Sequence, residues 1–118
     1  MDAALAIHRE LGPGLLESVY EAVLAQELSR RGLSIARQVS VPIEYAGLHF
    51  DEAFRADIIV ERSVILALKS VKTLKNISKK QLLTYLRLSG LKLGFVIHFG
   101  EALIKNGIIR IVNGLSEN

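Results

Sequence analysis

No cysteine occurs in the 118 residues, which excludes disulfides and thiolate metal centres and suits a reducing cytoplasm. Tryptophan is absent, and aromatic residues make up only 6% of the chain. Half of all residues are apolar, enough for one substantial core, yet no apolar run approaches the roughly 20 residues that a membrane-spanning helix needs. The amino terminus carries Asp2, Arg9 and Glu10 where an export signal would place a basic segment ahead of a long apolar one. A soluble, unexported, cytoplasmic protein is therefore expected, with residues 1–118 forming a single domain.

Acidic residues are also scarce in one half. Residues 1–61 carry ten acids against five bases, whereas residues 62–118 carry two acids against ten bases. Lys69, Lys72, Lys75, Lys79 and Lys80 follow one another with no acid among them. Such a cluster can meet a polyphosphate backbone, because each neutralised phosphate releases counterions. On charge alone, a solvated lysine-rich loop is the better reading.

Periodicity divides the chain cleanly. Ala4, Ile7 and Leu11 follow helical spacing over residues 2–11, and Gly12-Pro13-Gly14 interrupts them. A longer helix carries Leu16, Val19, Tyr20, Val23, Leu24 and Leu28, with Gly32 as its cap. Strands are expected over Gln38 to Tyr45, His49 to Val60 and Val64 to Val71. Pro42 marks the first as an edge strand or a bulge, Ala46-Gly47 forms a turn, and Glu61-Arg62-Ser63 closes a hairpin. A helix with Leu82, Leu83, Tyr85, Leu86 and Leu88 on its apolar face runs between Ser78 and Gly90. Leu93 to Phe99, nearly all apolar, reads as an interior strand, and Ile108 to Val112 as the last strand. The expected class is α/β, a mixed sheet flanked by helices in the order α-α-β-β-β-α-β-β, with a helical crossover into a parallel strand.

Several polar residues are placed to do chemistry together. Residues 67 and 69 project to one face of a strand, where a carboxylate and a lysine would form the E-x-K pair that holds a divalent cation and a water over a phosphodiester. Lys69 is present, but position 67 is alanine. Asp57 lies on the adjoining strand, within reach of Lys69 across the 61–63 turn, and Glu17 can approach from the long helix. Gln81 and Tyr85 share a helix face and can point to the same place. Each has a plain structural alternative: Asp57 pairing with Arg55, Lys69 extending to water, Glu17 complementing a helix dipole, Ser78 and Gln81 forming a capping box. His8, His49 and His98 lack metal-ligand spacing. Gly12-Pro13-Gly14 lacks the lysine and hydroxyl residue of a phosphate-binding loop, and no G-x-S-x-G supplies a nucleophile.

The run Gly14-Leu15-Leu16-Glu17-Ser18-Val19-Tyr20 matches a G-x-x-E-x-x-Y signature and resembles the GxxExxY family of the PD-(D/E)XK nuclease-like superfamily. The resemblance continues through Phe54-Arg55-Ala56-Asp57, Leu68-Lys69, Gln81 to Leu86, Gly90 to Gly94, Phe99-Gly100 and Arg110 to Asn113, nearly the whole chain. It implies a restriction-endonuclease-like core and a Mg²⁺- or Mn²⁺-dependent endonuclease (phosphodiester hydrolase) site. Glu17 and Asp57 would be metal-binding carboxylates, Lys69 the lysine of E-x-K and Gln81 the glutamine of the following helix. Lys72, Lys75, Lys79, Lys80 and Tyr85 would meet DNA or RNA.

This sequence departs from the pattern in two places. Ala67 replaces the glutamate of E-x-K, and Ser78-Lys79-Lys80 stands where the family tends to have a histidine and an acid. The first removes a metal ligand, so an inactive or weakly active nucleic-acid-binding domain is expected. The alternative is an interaction or oligomerisation module, in which the nuclease-like scaffold persists and residues 108–112 pair as an edge strand with a second copy.

Overall fold

The computed structural model describes residues 2–70 and 75–114, with only the backbone described at Lys75. Helices α1 (Asp2–Leu11) and α2 (Glu17–Arg30) precede strands β1 (Ile35–Tyr45), β2 (Leu48–Val60) and β3 (Val64–Lys69). Helix α3 (Lys75–Ser89), β4 (Leu93–His98), a 3-10 turn at Ile104–Asn106 and β5 (Ile108–Val112) complete the order. This is the expected α/β architecture, a five-stranded sheet of order β1-β2-β3-β4-β5. Neighbours are antiparallel except β3 and β4, which run parallel across the α3 connection. Strand β4 is interior as its apolar run requires, and β1 and β5 are the edges.

Local chemistry explains the punctuation. Gly32, at φ 90°, ends α2: its N–H donates to the Ser29 carbonyl at 3.0 Å and the Leu33 N–H to the Leu28 carbonyl at 3.1 Å, the paired bonds of a Schellman cap. Ala46 and Gly47 both take positive φ in the two-residue β1–β2 turn, matching the twist of the flanking strands. Pro42 lies on edge strand β1 where the ladder register shifts between Val41 and Ile43, so both expectations for it apply.

Three expectations are corrected. Helix α3 begins at Lys75, which puts Ser78 inside it and buried, so Ser78 is not an N-cap and the capping box with Gln81 does not form. Strand β3 ends at Lys69, and Val71 lies outside the described residues. Leu11, Leu16 and Val19 are exposed, because the inward face of α1 is Ala3, Ala4, Ile7 and His8, and that of α2 is Tyr20, Glu21, Leu24, Ala25 and Leu28. Apolar spacing finds the helix but not its rotation when a small or charged residue takes a core-facing place.

The sheet buries both faces. Leu24, Leu28, Ile58, Leu66, Leu68, Ile97 and Phe99 pack with α1 and α2 on one side. Phe54, Ala56, Ile65, Val96, Leu82 and Leu86 pack with α3 on the other. Gly94 of β4 lets α3 settle closely, since a Cβ there would lie 3.0 Å from Leu82 Cδ2 and 3.1 Å from the Ile65 carbonyl oxygen. The long β1–β2 pair rolls between these layers. Ile35, Ile58 and Val60 belong to the α2 side, whereas Val39, Val41, Phe54 and Ala56 belong to the α3 side. The change falls at Gln38 and Asp57, which carries Asp57 to the seam between the two helices.

Candidate active site

The β2–β3 ladder pairs Ile58 with Leu66 and goes no further toward Asp57. Where the strands splay, the Leu68 N–H would lack a ladder acceptor, and it donates instead to Asp57 Oδ2 at 2.8 Å. The carboxylate is thus fixed by backbone at the mouth of a small cleft of about 90 Å³. Glu17 enters from the first turn of α2, Ala67 and Lys69 from β3, and Gln81 and Tyr85 from α3, over a floor of Ala56 and Ile65. All the residues marked for catalysis by the sequence, Glu17, Asp57, Lys69 and Gln81, therefore line one cleft together with Ala67 and Tyr85.

Each side chain has its own support. Tyr85 stacks on Phe54 with ring centroids 4.0 Å apart and planes 1° from parallel, which sets the phenol against the cleft. Gln81 lies one residue before Leu82, the fully buried anchor of α3. Lys79 and Lys80 are exposed on α3 and do not line the cleft, while Lys72 and the Lys75 side chain lie outside the described residues. Arg55 also reaches the cleft wall, but its guanidinium pairs with Glu52 at 2.9 and 3.2 Å rather than with Asp57. His8 is satisfied by the Glu101 carbonyl at 2.8 Å, and His49 sits between Glu44 and Asp51 at the surface.

The tyrosine of the G-x-x-E-x-x-Y run works on structure. Tyr20 is fully buried and stacks on Phe99, centroids 4.3 Å apart. Its hydroxyl donates to the Gly12 carbonyl at 2.5 Å and accepts the Leu15 N–H at 3.1 Å, pinning the glycine-rich break that leads into α2. The break fixes where the helix starts, and hence where Glu17 stands.

Glu21 was not evident as a site residue. It lies one turn beyond Glu17, is 5% exposed, and accepts Arg37 Nε at 3.0 Å and Gln38 Nε2 at 2.6 Å. The available signal was its i+4 relation to Glu17 beside Tyr20 and Leu24, a carboxylate interrupting a core-facing stripe.

Burial raises the proton affinity of both cleft carboxyls. Asp57 is pushed up by burial and by the nearby Glu21 charge, against the Leu68 N–H, Lys69 and Gln38, which pull it down. Glu17 is pushed up by burial and by Asp57, opposed by Lys69 and the Ser70 N–H. Tyr85 is raised by burial and by the Asp57 charge. A carboxyl that binds its proton more tightly folded than unfolded gives stability that is full below its unfolded pKa, about 4, and is lost as pH rises through the folded value. Glu17→Gln is accordingly expected to raise the melting temperature at pH 7 and to leave it unchanged near pH 3. An equal shift at both pH values would remove the electrostatic explanation.

Two carboxylates, a lysine and an amide meet in the cleft. Among the described residues no three histidine, aspartate or glutamate side chains converge to hold a cation, and the place where a third carboxylate would project is the Ala67 methyl. What the cleft offers is the carboxylate oxygens of Glu17 and Asp57, an ammonium and an amide, hard donors that could hold Mg²⁺ together with its own waters and a substrate phosphate.

No curated protein and no solved structure matches the chain. A family model described as PD-(D/E)XK nuclease superfamily matches residues 1–111, spanning every helix and strand of the sheet but the last residue of β5. With that coverage, and with an acid, a lysine and a glutamine gathered where the strands part, the chain belongs to the PD-(D/E)XK nuclease superfamily.

Proposed function

We propose that this protein is a nucleic-acid-binding member of the superfamily, of the GxxExxY branch, with catalysis impaired by Ala67. The observation that carries the reading is the composition of the cleft: Glu17, Asp57, Lys69 and Gln81 remain together while the position between Asp57 and Lys69 is alanine. Nucleases of this superfamily generally use a divalent metal, Mg²⁺ or Mn²⁺ being the hard cations that such oxygen donors suit. Loss of one carboxylate weakens that capacity and leaves the phosphate-binding character of the lysines in place. Exposed Lys79 and Lys80 precede Gln81 on α3 and, on other faces of that helix, add positive charge beside the cleft that a nucleic-acid backbone would feel.

The test is affinity for DNA and RNA against salt. Binding is expected to weaken log-linearly as salt rises, and Lys79→Ala with Lys80→Ala to flatten the slope by about 0.9 for each phosphate contact removed. Absence of binding to either nucleic acid at low salt would end this reading. A second reading draws on β5, an edge strand with one ladder partner, β4. It makes the domain a homodimer through strand pairing, and sedimentation across a concentration series decides it.

A further inference from the structure

Four non-glycine residues among those described take positive φ. Ala46, Glu61 and Arg62 do so in the two hairpin turns, where the turn geometry asks for it. Gln38, at φ 51°, does so inside a strand, where Arg37 pairs with Ile58 and Val39 with Ala56 on either side of it. A left-handed residue that is not glycine persists only where its surroundings hold it. What holds Gln38 is its side chain: Nε2 donates to Glu21 Oε1 at 2.6 Å, and Glu21 is in turn braced by Arg37 Nε at 3.0 Å. Although Gln38 is open to solvent over part of its surface, its amide turns inward, across the ladder from Asp57.

Elementary hydrogen-bond chemistry orients this group. An ionised carboxylate only accepts, so the amide nitrogen, not its oxygen, must face Glu21, and its second hydrogen is left to a second acceptor. Asp57 lies opposite Gln38 across the ladder, and Gln38 is among the groups that lower its proton affinity. We propose that Gln38 is a positioning residue: its left-handed backbone and Glu21 anchor aim one amide hydrogen at Asp57, and so keep that carboxylate on the Leu68 N–H and facing the cleft. Glu21 and Asp57 repel each other across the seam, and the neutral amide, bound to the first, faces the second. This rests on Asp57 being a working residue of the proposed site, but the arrangement itself can be measured without nucleic acid.

The experiment is amide hydrogen exchange by NMR on the full ¹⁵N-labelled chain, comparing the unaltered protein with Gln38→Gly and Gln38→Asn. Glycine suits the left-handed backbone and asparagine tolerates it, so neither strains the strand, and the loss of the bond to Glu21 is expected to lower the melting temperature of both alike. In both, the Leu68 amide is expected to exchange about tenfold faster, the loss of roughly one hydrogen bond, while Leu66 and Ile97 change less. An unchanged Leu68 rate in both variants would overturn the proposal. So would a uniform rise at all core amides, which would make Gln38 a general stabiliser. Failure to bind DNA or RNA would defeat the functional reading and leave these rates as they are.

Discussion

Ala67→Glu is expected to raise metal-dependent phosphodiester cleavage by about a hundred- to a thousandfold, the usual cost of losing one electrostatic contributor, and by more if the methyl leaves the cation site empty. Ala67 and Lys69 project from the same face of β3 into the cleft that Asp57 and Glu17 enter from the side. A glutamate there adds two hard oxygens beside Asp57 without displacing core, because residue 67 is only partly buried. The assay takes single- and double-stranded DNA and RNA with Mg²⁺ or Mn²⁺, and Ala67→Gln serves as the uncharged match in size. Cleavage by the glutamine variant at the glutamate rate would show that charge at 67 is not what was missing. Vigorous cleavage by the unaltered chain would show that Glu17 and Asp57 suffice, and silence of Ala67→Glu on every substrate would favour a scaffold role.

The largest stability effect is expected at Tyr20. Removing a fully buried aromatic ring commonly costs about 3–5 kcal/mol, a large share of the 5–15 kcal/mol that holds a domain together. Tyr20→Ala should therefore move the urea midpoint far down or prevent folding. Tyr20→Phe keeps the stack on Phe99 and loses only the hydroxyl, leaving the Leu15 N–H and the Gly12 carbonyl unpaired, for about 1–3 kcal/mol. If the phenylalanine variant matched the parent in denaturant, the hydroxyl would not be pinning the entry to α2. Glu17 would then owe its place to the helix alone.

Why some of this was legible in the sequence and some was not follows from the range of the forces involved. Helix and strand order is local: period 3.6 in α2, short turns at residues 46–47 and 61–63, and an apolar run in β4 each follow from neighbours along the chain. The meeting of Asp57 and Lys69 is nearly local too, because a three-residue turn leaves few registers. Glu21 and Gln38 belong to another category. Their partnership joins a helix to an edge strand, and it depends on a backbone rotation at residue 38 that no propensity for glutamine suggests. The cap assigned to Ser78 failed for a related reason: burial of Ser78 beside Leu82 shows tertiary packing extending α3 back to Lys75, past the residue that favours a helix start.

Gly94 gives the cleft a dependence on a place remote from its chemistry. With no side chain at 94, Leu82 rests close against β4 at Gly94, and its neighbours Gln81 and Tyr85 ride at the height this allows. The depth of the cleft is thus gauged from beneath α3 by the absence of a single methyl. A residue that touches neither acid nor lysine governs how far the helix-borne groups stand from them, and bulk added there would be felt as a widened mouth before it was felt as a broken fold.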